Sequence, residues 1–366
     1  MIKENTMEKI IRIANEFRVN APIVNGEKYG CGHINDTYKL TDTKGKFYIL
    51  QRINHKVFKD VDALMQNIVG VTKYVYDKMV EKGEETRDAL RVIPTLDGRS
   101  HYGDNEVGYY RLYNFVYGGI SIETAPTLEQ FRVSGIGFGK FQKLLNGYPA
   151  ETIKDSIPNF HNTIDRFNKL KKAVKEDSEN RLTSVQKEVE WFYKRKDYCS
   201  FVLDKLESGE IPLRVTHNDT KLNNVLVNIS SMTPVTVIDL DTVMKGSLLY
   251  DFGDSIRSGA NTGAEDEKDL SKVDFSLAHY EAFVSGFVGE VKDTLTECEK
   301  ENLYFGAILM TFECGMRFLT DYLEGDHYFK VHRDGHNLDR CRTQIKMVEK
   351  MEDHLEEMKS VVRKYV

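Results

Sequence analysis

The residues that could do chemistry crowd into one stretch of this chain. Val215 to Val227 reads Val-Thr-His217-Asn218-Asp219-Thr220-Lys221-Leu222-Asn223-Asn224-Val-Leu-Val, and Val235-Thr236-Val237-Ile238 then runs into Asp239-Leu240-Asp241. The spacing His-x-Asp-x-x-x-x-Asn places an ionisable carboxylate ahead of a neutral side-chain oxygen. Phosphoryl transfer uses that pairing: the Asp faces the acceptor hydroxyl and takes its proton, and the Asn holds a magnesium ion. Magnesium on a triphosphate takes hard oxygen ligands, one or two of them carboxylates. Asp219 is therefore the expected base, and Asn224 and Asp239 are the expected Mg2+ ligands.

Asp241 lies on the same strand period as Asp239 and is a second candidate, for the metal or the acceptor. Downstream, Asp251-Phe252-Gly253 looks like another metal motif. Asp239 comes directly off the strand that pairs with the catalytic loop's own strand, so it fits the metal better. Asp251 is expected to cap the next helix and to bond back to the loop.

The elements that position these groups follow from periodicity. Met7, Ile10, Ile11, Ala14 and Phe17 share a helical face after an Asn5-x-x-Glu8 capping box. Gly30 and Gly32 sit where a strand turns, and glycine lets backbone N–H groups approach phosphate oxygens. Strands follow at Asn35–Leu40 and Phe47–Ile53, with Arg52 the candidate cation for the phosphates. Alternation puts Gln51 and Arg52 on opposite faces, so only one of them faces a nucleotide. Val61 to Met79 has helical spacing but no Glu to pair that cation. Strands at Leu90–Pro94 and Tyr109–Tyr113 lead to Asn114-Phe115-Val116-Tyr117-Gly118-Gly119, a hinge whose backbone near Asn114 and Val116 would meet an adenine edge. Thr127 opens a helix, and Pro158–Leu206 is a long, charged helical region. Phe305 to Leu323 and Ile345 to Val362 carry further helical stripes.

Composition narrows the class. The 366 residues suffice for a bilobal protein, with 51 basic against 57 acidic side chains and a net charge of −6. A mildly acidic chain lacks the basic stripe of a nucleic-acid binder. Five scattered cysteines without C-x-x-C spacing argue against disulfides and zinc, and fit a reducing cytoplasm. No apolar run reaches membrane-spanning length.

Taken in order, Gly30–Tyr38, Ile49–Asn54, Arg111–Val116, Phe138–Leu145, His217–Val227, Val237–Met244, Leu249–Asn261 and Arg317–Gln344 resemble the aminoglycoside phosphotransferase and choline kinase superfamily. The nearer resemblance is to N-acetylhexosamine 1-kinases. It implies an α+β, protein-kinase-like bilobal fold: a small antiparallel β-sheet N-lobe (1–113), a hinge (114–119) and a larger, mostly helical C-lobe (120–366). It implies a cytoplasmic monomer that moves the γ-phosphate of ATP, with Mg2+, to the anomeric hydroxyl of N-acetylglucosamine or N-acetylgalactosamine, and that binds neither nucleic acid nor membrane. By that likeness Asp219 is the base, Asn224 and Asp239 hold the metal, Gly30, Gly32 and Arg52 face the phosphates, and His33, Arg317 and Tyr328 hold the sugar. The alternatives are a kinase of choline, homoserine, methylthioribose or an aminoglycoside, and a catalytically silent ligand-binding pseudokinase. A choline site would carry an aromatic cage, and an aminoglycoside site an acidic cluster.

Overall fold

A computed structural model describes residues 6–30, 34–124 and 127–366. The N-terminal part contains α1 (Thr6–Ala14), β1 (Ile23–Lys28), β2 (Asp36–Asp42), β3 (Phe47–Ile53), α2 (Val61–Glu81), β4 (Val92–Ile93), β5 (Tyr102–Asp104) and β6 (Gly108–Asn114). The strands form one antiparallel sheet in the order β1-β2-β3-β6-β4, with β5 also on β6. Alternation gives this sheet two different faces. Tyr38, Leu40, Tyr48, Leu50, Tyr110 and Leu112 point to one side and bury Ile10, Ile13 and Ala14 of α1. The other side, with Ile49, Ile53 and Tyr113, joins α2 and the main core. The first helix ends at Ala14, short of the expected Phe17. Phe17 instead leaves the helix, bridges to Thr95 and fills the same core. Asn5 of the expected capping box lies outside the described residues.

Beyond the sheet come β7 (Ile120–Ser121), α3 (Leu128–Leu145), α4 (Thr163–Glu176), α5 (Gln186–Lys194), α6 (Tyr198–Ser208), β8 (Arg214–Thr216), β9 (Val225–Asn228), β10 (Thr233–Val237), β11 (Met244–Gly246), α7 (Leu248–Gly259), α8 (Leu277–Val291), α9 (Glu297–Leu323), α10 (His336–Asp353) and α11 (Leu355–Tyr365). The architecture is the expected α+β one, an antiparallel N-terminal sheet followed by a mostly helical C-terminal part. Thr127 caps α3 with a complete capping box to Gln130, which satisfies donors that a helix N-terminus leaves open. The charged stretch at 158–206 is three helices, and Asp177 in the left-handed region ends the first of them. Among the described residues no helix is long and apolar enough to cross a membrane.

The helices around the site pack at backbone distance. A Cβ at Gly253 of α7 would land inside the carbonyl of Gly306 on α9. Gly253 is thus a packing glycine, and the Asp-Phe-Gly sequence lies within a tightly packed helix. Gly253→Ala should destabilise the fold by about 2 kcal/mol or more through overpacking. Gly289→Ala, in α8 with nothing near the added methyl, should stabilise it by roughly 0.5–1 kcal/mol. Denaturant unfolding of the two variants against the parent checks both signs.

Candidate active site

The loop from His217 to Asn224 leaves β8 at Thr216, and its path is set by a carboxylate from elsewhere. Asp251 of α7 is buried and accepts the backbone N–H of His217 at 2.8 Å, that of Asn218 at 2.7 Å, and Gln142 Nε2 at 2.6 Å. Burial pushes the Asp251 pKa up, while His217 and these donors oppose the rise. Asn218 has φ of 64°, a left-handed conformation that Asn tolerates. Its side chain accepts from Thr216 Oγ1 and donates to the Thr242 carbonyl, both at 2.9 Å. The expected bond from Asp251 back to the loop is present, but Asp251 does not cap α7. Ser247 does, accepting from the Leu249 N–H at 3.2 Å.

His217 is an internal strut. Its Nδ1 accepts the Asp219 N–H at 3.3 Å, so its Nε2 carries the proton and donates to the Ile238 carbonyl at 2.9 Å. Asp219 is partly exposed; its carboxylate takes Lys221 Nζ at 2.8 Å and Asn224 Nδ2 at 3.2 Å. Lys221 was not singled out in the sequence, where it reads as one more loop lysine. The Asp219 carboxylate, then Asp254, raise the pKa of its half-exposed ammonium. Asn224 also donates to the Asp219 carbonyl at 2.8 Å. That commits the amide's nitrogen and leaves its oxygen as the end suited to a cation. The Asn224 carbonyl accepts the Ile238 N–H at 2.9 Å, so the β9–β10 pair delivers Asp239 beside Asn224 and Asp219.

Asp239 itself is left-handed, with φ of 60°, a conformation that costs of order 1–3 kcal/mol unless its surroundings impose it. The cleft walls, then Asp241 and Asp219, push its pKa up to about 6. Because Asp239 keeps an exposed face, water weakens the first cause and the carboxylate repulsion is the part that survives. A divalent cation would relieve it. Among the described residues no three His, Cys, Asp or Glu side chains form a self-contained metal cage. The donor set would suit a divalent cation shared with phosphates and water, to which Asn224 and Asp239 could offer oxygens.

On the sheet side, two expectations need correction. Arg52 shares its face with Tyr48 and Leu50, away from the cleft, and lies half-exposed 3.8 Å from Asp36. Gln51 is the cleft-facing neighbour. Its Oε1 accepts from Arg111 Nε at 3.0 Å and Nη2 at 2.8 Å, and its Nε2 donates to Thr37 Oγ1 at 3.1 Å. Asp241 is not open to an acceptor either. One oxygen pairs with Arg111 Nη1 and the other accepts Asn35 Nδ2 at 2.5 Å. Asn114 has its N–H on the Arg91 carbonyl at 3.2 Å and its side-chain amide on the Arg91 N–H and the Ala89 carbonyl, so its backbone N–H is taken while these bonds leave its carbonyl aside. Val116, the other hinge candidate, is buried just past the strand. Gly30 has φ of 75° and open space where a Cβ would lie; Gly32 and His33 fall outside the described residues. Lys39 on β2 stands 4.2 Å over the Phe47 ring, in an aromatic group with Tyr29, Phe115 and Tyr117 at the hinge.

Across the loop, Arg317 of α9 meets no carboxylate at salt-bridge distance among the described residues. The helical neighbours that would neutralise it are taken. Glu313 bonds His161 Nδ1 at 2.8 Å and Thr163 Oγ1 at 2.6 Å, and Asp321 accepts the N–H groups of Tyr328 and Phe329. The Arg317 guanidinium instead lies 5.4–5.8 Å from the rings of Phe160, Tyr328 and Phe329, and donates to the Tyr328 hydroxyl at 3.3 Å. Arg166 stands beside it. Burial, then the Arg317 charge, pull Arg166 below the ordinary arginine range, and its Nε is buried without a partner. His161 Nε2, 3.4 Å from the Asn218 carbonyl, links this cationic corner to the loop that carries Asp219.

A sequence model of the phosphotransferase enzyme family matches residues 26–282. An aminoglycoside phosphotransferase from Alicyclobacillus acidocaldarius superposes with a TM-score of 0.60 at 13% identity, covering 96% of each chain. Choline kinase from Cryptosporidium parvum gives 0.58 at 13% identity, over 98% of this chain and 99% of that one. A microcompartment-associated aminopropanol kinase gives 0.57 at 17% identity, over 95% and 97%. At such identities the likeness is one of fold.

The raised Asp239 pKa has a stability consequence with a definite sign. Its folded value of about 6 lies above the ordinary 3.8, so the ionised side chain disfavours the fold above pH 6 and has no effect once both states are protonated. Asp239→Asn should raise the thermal midpoint at neutral pH, with a gain that shrinks as pH falls from 6 toward 4. The same variant should weaken metal-dependent nucleotide binding by about 10- to 100-fold. Melting curves across pH and titration calorimetry with Mg2+ and ADP measure the two effects.

Proposed function

The chain belongs to the phosphotransferase enzyme family, and from that premise we propose that it transfers the γ-phosphoryl group of ATP to the anomeric hydroxyl of an N-acetylhexosamine. As a member of that family it is a small-molecule phosphotransferase. The acceptor is the narrower reading, and one observation carries it: the corner beside the catalytic loop holds two guanidinium groups, Arg166 and Arg317, with Arg317 lacking a carboxylate partner among the described residues.

Choline, ethanolamine, aminopropanol and the aminoglycosides, named by the similar structures, all bring a positive charge. An ammonium would be repelled by this corner. The aromatic rings that could cage it, Phe160, Tyr328 and Phe329, already face Arg317. A neutral polyol with a carbonyl meets the opposite situation. Its oxygens accept from guanidinium donors, and an acetamide pairs groups that a plain hexose would leave unsatisfied. The resemblance of Arg317–Gln344 to N-acetylhexosamine 1-kinases points the same way.

In this reading Asp219 receives the acceptor hydroxyl and its proton. An anomeric hydroxyl is more acidic than an ordinary alcohol, so a carboxylate within hydrogen-bond reach suffices as the base. Asn224 Nδ2 and Lys221 Nζ fix the carboxylate's orientation. Magnesium, held by Asn224 and Asp239, would neutralise the phosphates. Residues 1–113 form the nucleotide lobe, 114–119 the hinge and 120–366 the acceptor lobe.

ADP release should be measured over N-acetylglucosamine, N-acetylgalactosamine, glucose, choline, ethanolamine and an aminoglycoside, with phosphorus NMR of the product. The expected result is turnover with the two acetamido sugars, a sugar 1-phosphate as product, and a loss of about 10²–10⁴-fold in Asp219→Asn. Equal rates on choline, or no dependence on Asp219, would sink the proposal.

A further inference from the structure

The segment just past Asp239 is gripped from the N-terminal part of the chain. Arg111 of β6 is fully buried and pairs with Asp241, whose side chain is 5% exposed. Asn35 donates to the other Asp241 oxygen at 2.5 Å and is itself fixed by the Asn54 N–H at 3.0 Å. Asn67 of α2 donates to the Val243 carbonyl at 3.2 Å. Three separate elements of the sheet lobe thus hold Asp241 and Val243, while Ser156 holds the Asp241 carbonyl at 3.1 Å. The residue these grips leave free is Asp239, in a left-handed conformation that needs imposing. Arg111 is the strongest hold and is aimed by Gln51, which accepts from two of its nitrogens.

We infer that Arg111 is a positioning residue for phosphoryl transfer: its buried pair with Asp241 sets the Asp239 turn where a nucleotide-bound cation needs that carboxylate. The inference rests on Asp239 as a cation ligand and not on which acceptor is used. It also has a sign that simple charge cannot mimic. Removing a positive charge near Asp239, and freeing the Asp241 carboxylate, should strengthen cation binding by Coulomb's law. Loss of positioning should weaken it.

The test is binding of Mn2+ in the presence of ADP, followed by the paramagnetic resonance of the free ion, with no acceptor present. Arg111→Gln should bind about 10- to 100-fold more weakly than the parent. Arg111→Gln leaves Asp241 buried and unpaired, which endangers folding. The double variant Arg111→Gln with Asp241→Asn restores a neutral pair and should fold, recovering part of the affinity. Each variant is measured below its own melting transition, so a purely structural role would lower the melting temperature and leave the Mn2+ affinity of the folded protein unchanged. Unchanged or tighter binding in folded Arg111→Gln, or in the double variant if the single one does not fold, overturns the inference alone. A parent protein that gains no Mn2+ affinity from ADP overturns the reading of Asp239, and this inference with it.

Discussion

A single buried carboxylate holds the reactive loop in place. Asp251 spends both oxygens on backbone N–H groups of the loop and on Gln142. Such an ion is tolerated inside a protein only when donors surround it. The loop in turn offers two successive N–H groups there, with Asn218 turning left-handed. Thr220 and Ser255 extend the bond, with Ser255 Oγ donating to the Thr220 carbonyl at 2.8 Å. α7 therefore acts as the bed of the loop, and the glycine contact between α7 and α9 ties that bed to the longest helix of the chain.

The electrostatics of the cleft follow from that placement. Asp219, Asp239 and Asp241 come within each other's influence on a short piece of irregular backbone, and each is balanced differently. Asp219 has Lys221, a solvent-reachable partner. Asp241 has Arg111, a buried one, where burial works against the cation and Asp241, Tyr113 and Asp239 together offset it. Among the described residues Asp239 has no such partner, and it carries the strain as a raised pKa. One uncompensated carboxylate among three is the electrostatic form of a site suited to a cation.

The corner around Arg166 and Arg317, if it receives the acceptor as proposed, illustrates how one fold can support different substrates. The scaffold superposes on kinases of cationic alcohols, and fold by itself does not select a substrate. In the proposed reading, selection lies in side chains brought by α4, α9 and the segment after α9. Here Glu313 is consumed internally: against the cost of burial, His161, Thr163 and Arg317 hold it below the usual carboxylate range. With that carboxylate turned inward, the surface left to a ligand is cationic and aromatic.

The sequence by itself determined the local facts. The spacing from His217 to Asn224 fixed which oxygens share one loop, the apolar runs fixed the β9–β10 pair that brings Asp239 to Asn224, and helical stripes fixed most helices, because all of these depend on near neighbours along the chain. Alternation also established that Gln51 and Arg52 oppose each other. Only the tertiary structure decided which of them faces the cleft, since that depends on where α1 packs, and α1 is far away in sequence. For the same reason Arg111, which reads as one charge in a mostly apolar strand, gave no sign of its pair with Asp241, and the residue order did not show that Glu313 and Asp321, the acidic helical neighbours of Arg317, are engaged elsewhere. A charge's partner is set by distance in space and by competition among acceptors, and neither is written in residue order.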